Sequence, residues 1–246
     1  MNNLKIALIG YGRMGKEIEK VALSKEHVIQ ARIDTLEDWV TQKSLLLNSN
    51  VAIDFSIPEI AISNMKRCLK LNIPLVIGTT GWYEQMNEIE DEVNLKNGSL
   101  LWASNFSLGV NITFHFNKLL AKTMARFPEY KVHIHEIHHT QKLDAPSGTA
   151  ISLANGIIDS NELLDTWKLE EGHEIESSYL PISHAREGQV PGTHEIRYTS
   201  DIDEIMLRHE AKNRKGFASG AVLAAEWLVG KKGFYNMSDV LGFESL

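Results

Sequence analysis

The segment Ile6-Ala7-Leu8-Ile9-Gly10-Tyr11-Gly12-Arg13-Met14-Gly15 constrains this chain more than any other, because it sets three glycines at G-x-G-x-x-G spacing between an apolar run and an amphipathic one. A strand that ends in such a turn and passes straight into a helix opens a βαβ unit, and each glycine has a task in it. Gly10 makes the tight turn, Gly12 lets the backbone approach a pyrophosphate, and Gly15 lets helix and strand pack closely. The helix N-terminus then offers free N–H groups to the phosphates. Asp34, at the end of the next apolar run, stands at about the twenty-residue distance expected of a carboxylate that accepts from ribose hydroxyls. That carboxylate repels a 2′-phosphate, so NADH is favoured; Arg13, Lys16 and Arg32 are near enough in sequence to keep NADPH open.

The rest of the first half repeats the rhythm. Strands are predicted at Lys5–Ile9, Val28–Ile33, Val51–Phe55, Leu75–Ile77 and Leu100–Ala103, with helices at Met14–Ser24, Glu59–Leu71 and Tyr83–Leu95 between them. Short apolar runs alternating with amphipathic helices encode an α/β fold, here a Rossmann-like, doubly wound parallel sheet. From about Asn105 the pattern changes to a helix near Asn111–Arg126, a strand Tyr130–Ile137, a loop, a helix from Gly148, and strands His194–Thr199 and Glu204–Arg208. This predicts a second, smaller α+β domain with a mixed sheet at residues 108–212. The dinucleotide domain takes residues 1–107, and the Ala-rich helix Ala218–Val229 brings the segment 213–246 back to it.

Composition narrows the partners. A formal charge of −7 and a pI of about 5.8 give no electrostatic footprint for nucleic acid or anionic lipid. An anionic ligand must therefore be met by a local cluster of positive groups. Cys68 stands alone, and Met1-Asn2-Asn3-Leu4-Lys5 lacks the basic segment and apolar run of a secretory signal, so a cytoplasmic protein is expected. No stretch approaches the roughly 18 uncharged apolar residues that span a bilayer.

The chemistry gathers between His133 and Ala150. Strand alternation puts His133, His135 and Ile137 on one face and Ile134, Glu136 and His138 on the other. Lys142 follows in a loop that ends at Pro146-Ser147-Gly148-Thr149, where Ser147 is a natural N-cap and the N–H groups of Gly148 and Thr149 point outward at a helix start. A proton donor, a cation and an anion nest thus fall within a dozen residues. His133 and His135, taken singly, read as hydrogen-bonded structural residues. Histidine and glutamate at this spacing can also ligate zinc, but the flanking lysine and the nest suit an organic anion better, and no metal is expected. A sugar- or inositol-dehydrogenase type of enzyme would carry a catalytic Glu-Lys-Pro, which is absent. A catalytically silent NAD sensor would have lost the proton donor and the cation, and His138 and Lys142 are both present.

The run Glu136-x-His138-His139-x-x-Lys142-x-Asp144-Ala145-Pro146-Ser147-Gly148-Thr149-Ala150 closely resembles the signature of the dihydrodipicolinate reductase family. Asp54-Phe55-Ser56, Gly78-Thr79-Thr80-Gly81, Asn105-Phe106-Ser107, Phe217-Ala218-x-Gly220-Ala221 and Asp239-Val240-Leu241 resemble its other landmarks in order. The resemblance implies NAD(P)H-dependent reduction of 4-hydroxy-tetrahydrodipicolinate to tetrahydrodipicolinate, in the pathway to diaminopimelate and lysine, by a homotetramer assembled through the second domain. It implies His138 as general acid/base and Lys142 as a second catalytic group that also binds a carboxylate. His139, Ser147, Gly148, Thr149 and Thr80 become contacts of a small dicarboxylate substrate. Gly10, Gly12, Arg13, Met14, Gly15, Asp34, Phe55, Gly78, Thr79, Thr80, Ser104 and Phe106 become cofactor contacts. The chain departs from the family at Gly10-Tyr11-Gly12, one residue tighter than usual, at Glu187 in the Arg186-Glu187-Gly188 turn, and in a shortened stretch between Asp34 and Val51 that bears on cofactor preference.

Overall fold

The computed structural model describes residues 3–170, 176–213 and 215–243. The chain divides into two compact units, residues 1–107 with 215–244 and residues 108–214. Of the return segment 213–246, residues 214 and 244–246 lie outside the described residues.

The first unit begins with β1 (Lys5–Ile9), α1 (Arg13–Ser24) and β2 (Val28–Ile33), followed by two short helices, α2 (Asp38–Thr41) and α3 (Lys43–Leu47). It continues through β3 (Val51–Asp54), α4 (Pro58–Lys70), β4 (Leu75–Ile77), α5 (Met86–Leu95) and β5 (Ser99–Trp102). The second unit holds α6 (Leu108–Met124), β6 (Lys131–His138), α7 (Gly148–Ile158), β7 (Thr166–Leu169), β8 (Tyr179–Arg186), β9 (Thr193–Thr199) and β10 (Glu204–Glu210). The chain then returns to the first unit as α8 (Lys215–Leu228), β11 (Gly233–Asn236) and α9 (Met237–Leu241).

The first sheet is parallel throughout, in the order β11-β5-β4-β3-β1-β2. Its central strands are closed on both faces, which is why Val51–Asp54 and Leu75–Ile77 are continuous buried runs without alternation. Ile6, Leu8 and Ile53 pack on α1 and α8 on one side, and Ile9, Ala52 and Ile77 face α4 and α5 on the other. The strand order reverses between β1 and β3, and open α/β sheets bind ligands at the carboxyl ends flanking such a point.

The second sheet is mixed, in the order β10-β9-β6-β8-β7, with β6 parallel to β8 and antiparallel to β9. Ile134, Ile182, Ile196 and Tyr198 form its buried face, closed by Leu153, Ala154 and Ile157 of α7. Three strands carried no readable pattern. In β8, Pro181 sits opposite Lys168 of β7, and a proline within a run argues against a strand from sequence alone. The flanking strand β7 is exposed at every other residue over only four positions, and β11 is four half-buried residues that run straight into α9.

Candidate active site

The nucleotide end of the first unit is built mostly of backbone. Gly10 has φ +79°, and its N–H donates to the Ile33 carbonyl over 2.8 Å, tying the turn after β1 to the end of β2. A Cβ at Gly10 would lie 2.5 Å from the Phe55 carbonyl oxygen, and one at Gly15 would lie 2.4 Å from the Gly10 oxygen. Both positions therefore require glycine for the fold itself. At Gly12 a Cβ would meet nothing within 4 Å, so the fold itself does not require glycine there. Gly12 is also the N-cap of α1, and no side chain caps that helix. Its first N–H groups are the ones an anion would take. Arg13 is exposed and Met14 half-buried on this turn.

Asp34 is exposed just beyond β2, and its carboxylate accepts the Tyr11 N–H over 2.9 Å, which aims it into the glycine loop. Of the three cations near Asp34 in the sequence or the glycine loop, Arg13, Lys16 and Arg32, the last is engaged elsewhere. Its guanidinium donates to Glu19 and lies over the Tyr11 ring, 5.5 Å from the centroid, while the Tyr11 hydroxyl donates to the same carboxylate. The Arg32 bond holds the Glu19 carboxyl below its ordinary range. Beside Asp34 opens a cavity of 350 Å³, lined among others by Gly12, Trp39, Phe55 and Arg67. Arg67 lies over the Trp39 ring at 5.1 Å. Flat apolar walls with one carboxylate at the rim suit a nucleoside. Trp39 belongs to α2, in the stretch where the sequence showed only a shortened connection; two helices fill it.

At the ends of β3 and β4 the Phe55 ring occupies the space a side chain at Gly78 would need, with a Cβ there only 2.3 Å away. Phe55 and Phe106 rings stand 5.6 Å apart, and Phe106 is buried. The hydroxyl of Thr79 is turned to Asp54 (3.2 Å), a buried acid that also accepts from the Ser56 N–H (2.8 Å) and the Asn64 amide (3.0 Å). Burial pushes the Asp54 pKa up. Thr80 and Ser104 are exposed in the turns after β4 and β5.

In the second unit the groups are side chains, and they converge on one buried acid. Alternation along β6 buries Ile134, Glu136 and His138 together, while His135 pairs with Ser183 (2.7 Å) and His133 with Glu170 (3.2 Å) on the opposite face. Glu136 is fully buried. Both its oxygens accept the Ser147 N–H, at 3.1 and 3.2 Å, and Arg186 Nη2 stands 3.5 Å away. His138 Nδ1 and His194 Nε2 each lie 3.6 Å from the same carboxylate oxygen, and the two rings meet edge-on at 5.1 Å. Burial would raise the Glu136 pKa, but the bonds from His194 and Ser147 and the charge of His138 outweigh it and bring it to about 2. His138 moves to about 4, chiefly through burial, with His194, Lys142 and Arg186 adding to the effect and Glu136 opposing it.

Ser147 caps α7 by accepting the Ala150 N–H (3.2 Å), which leaves the N–H groups of Gly148 and Thr149 for an anion. Its hydroxyl also meets His194 Nε2 at 3.1 Å. Lys142 is paired with both oxygens of Asp144 at 2.8 Å, and Arg186 holds this loop through the carbonyls of Lys142 (3.2 Å) and Asp144 (2.7 Å). His139 is half-buried at the loop's start. Among the described residues, Glu136, His138 and His194 are the group whose ligand atoms, all within 4.8 Å, have the donor chemistry of a metal site. The guanidinium of Arg186 beside Glu136, and the Ser147 N–H shared by both its oxygens, fit a hydrogen-bonded anion better than a ligand to a cation. The sequence assigns no catalytic or binding role to Glu136, Arg186 or His194. Alternation marked Glu136 as facing with His138, but nothing local showed that β8 and β9 would bring Arg186 and His194 to it.

With this geometry in view, the family models decide the grouping. The model described as dihydrodipicolinate reductase, N-terminus, matches residues 4–106, and that described as dihydrodipicolinate reductase, C-terminus, matches residues 109–241. The chain belongs to the dihydrodipicolinate reductase family. It is similar to 4-hydroxy-tetrahydrodipicolinate reductase of Christiangramia forsetii, 46% identical over 97% of this chain and 98% of that one. The enzyme of the same name from Rickettsia bellii is 38% identical over 93% and 90%. The fold is also that of the dipicolinate-bound dihydrodipicolinate reductase from Paenisporosarcina sp. TG-14, with TM-score 0.78 and 24% identity over 96% of this chain and 98% of that one. It is a pyridine-nucleotide-binding dehydrogenase fold, and among the described residues no helix is long and apolar enough to cross a membrane.

Proposed function

We propose that this chain reduces 4-hydroxy-tetrahydrodipicolinate to tetrahydrodipicolinate in the cytoplasm, as a step toward diaminopimelate and lysine. The observation that carries the reading is the convergence of His138, Lys142 and the open first turn of α7 around one buried acid. A bound dinucleotide supplies hydride to a ring carbon conjugated to the imine. The protein must then deliver a proton to the neighbouring carbon of the enamine and hold two carboxylates while doing so. Gly148 and Thr149 N–H groups with Ser147 receive one carboxylate, and Lys142 and His139 meet the substrate from the preceding loop. Lys142 exchanges Asp144 for substrate at little cost, since an exposed ion pair is worth roughly 0–1 kcal/mol. Thr80 is a further substrate contact in this reading.

His138 is the acid/base. With a pKa near 4 it is neutral at neutral pH in the free protein, and a dianion bound beside it favours the protonated form. Substrate binding and proton uptake are thereby coupled. Residues 108–212 are the substrate-binding and assembly domain in this reading, and light scattering should report a homotetramer.

NADH is the preferred cofactor and NADPH is accepted less well, because Asp34 faces the glycine loop while Arg32 is held by Glu19. Gly10, Gly12, Arg13, Met14 and Gly15 hold the pyrophosphate. Phe55, Gly78, Thr79, Ser104 and Phe106 shape the nicotinamide end. Feeding the product of dihydrodipicolinate synthase to the purified protein and following NADH consumption tests the activity directly; no consumption with either cofactor would remove this reading.

A further inference from the structure

Glu136 is fully buried, sits one strand register from His138 on the same face of β6, and is neither a proton donor nor a substrate contact in the reading above. A buried carboxylate is retained only where its charge is met by hydrogen bonds and cations. Here the groups that meet it are the working parts of the site. The Ser147 N–H opens the candidate anion-binding turn, Arg186 braces the Lys142 loop, and the two histidines are held edge to face. The Nδ1 atom of His138 is enclosed and has no hydrogen-bond partner among the described residues, and the charge it faces is this carboxylate, 3.6 Å away. The other ring nitrogen, Nε2, lies over Gly192, where a Cβ would approach it to 3.0 Å. A full negative charge facing one nitrogen of a neutral imidazole favours the proton on that nitrogen.

We propose that Glu136 is a positioning residue that keeps His138 in the tautomer with the proton on Nδ1, so that Nε2 is the nitrogen that exchanges protons, while the same carboxylate fixes the α7 anion turn through Ser147. One charge then sets both where the substrate carboxylate sits and which nitrogen faces the ring. This rests on the reading of His138 as the acid/base. The groups facing His138 are Glu136 on its own strand, His194 from β9, Arg186 from β8 and Lys142 from the loop, and Glu136 is the one anion among them. Removing its charge leaves three basic neighbours unopposed.

Glu136→Gln is the informative change, because a carboxamide can still accept the Ser147 N–H but can donate to Nδ1 and so favour the opposite tautomer. We expect kcat to fall about a hundred-fold or more, as for a general acid in the wrong tautomer, with NADH affinity by fluorescence titration unchanged. KM should rise less than tenfold. The alkaline limb of the kcat profile, where the protonated His138 is lost, should move to lower pH, since the group that opposed the lowering of His138 is gone. Glu136→Asp, which keeps the charge, should recover part of kcat. Long-range 1H–15N spectra of histidine-labelled protein, with the His138 signals assigned from His138→Asn, should show the proton on Nδ1 in the wild type. A wild-type His138 protonated on Nε2 overturns the proposal whether or not any variant folds. Near-normal kcat in Glu136→Gln with a large loss in His138→Ala overturns it too. Near-normal kcat in both instead removes the acid/base reading on which it rests.

Discussion

The two units present their candidate groups in different materials. In the first unit candidate recognition rests on backbone: a glycine turn, an uncapped helix start and strand ends, with the Asp34 carboxylate accepting a backbone N–H of the loop. In the second unit it rests on side chains from β6, β8 and β9 and the loop before α7, organised around a single buried charge. A backbone site depends on what is missing, namely a Cβ at Gly10, Gly15 and Gly78. A charge cluster depends on what is present, and every member alters the others. The first should fail locally and sterically, the second electrostatically and as a unit.

The sharpest test is to remove the proton machinery and ask whether the nucleotide site notices. His138→Ala and Lys142→Ala should each lower kcat by about 10²- to 10⁴-fold, with NADH affinity within a few-fold of wild type by fluorescence titration. Their effects should combine less than additively if both serve one protonation step. A folded variant that loses NADH binding would dissolve the contrast between the two units.

Acid should strike the second unit first. His138 has its pKa lowered from 6.5 to about 4, so the unfolded chain binds protons where the folded unit does not. The stability involved is fully present above pH 6.5 and is lost as the pH falls from there toward 4. Glu136, lowered from 4.5 to about 2, extends the loss below pH 4.5. By pH 5 the deficit from His138 should be on the order of 2 kcal/mol. Hydrogen exchange measured at pH 7 and pH 5, corrected for intrinsic rates, should show protection falling in β6 and β9 and holding in β1 and β3. Equal losses in both sheets would contradict the assignment.

Smaller effects belong to the glycine loop. Because a Cβ at Gly12 meets nothing within 4 Å, Gly12→Ala should fold with unchanged thermal stability yet bind NADH at least about tenfold more weakly, the penalty falling on the pyrophosphate alone. Gly15→Ala, whose Cβ would lie 2.4 Å from the Gly10 oxygen, should lower the melting temperature as well. The least change is expected at cofactor choice. Asp34→Ala should shift the kcat/KM ratio several-fold toward NADPH, and Glu19→Gln should do so more weakly by releasing Arg32. An unaltered ratio in Asp34→Ala would take that residue out of the cofactor site.

The sequence by itself determined the parallel sheet and the glycine loop, because both are written locally. Buried strands read as short apolar runs, and a turn that requires Gly10 and Gly15 carries its own spacing. Alternation was enough to place Glu136 beside His138, and the Ser147 cap was legible from its position before a helix. Only the tertiary structure decided that Glu136 is the hub, since His194 and Arg186 come to it from strands whose pairing is set by contacts some fifty residues apart. It also decided that Arg32 is held by Glu19 and Tyr11, and that Trp39 and Arg67 wall the cavity beside Asp34. Local pattern reports which way a side chain faces; what waits on that side is supplied by distant segments, and the charge of a buried group is settled only when they arrive.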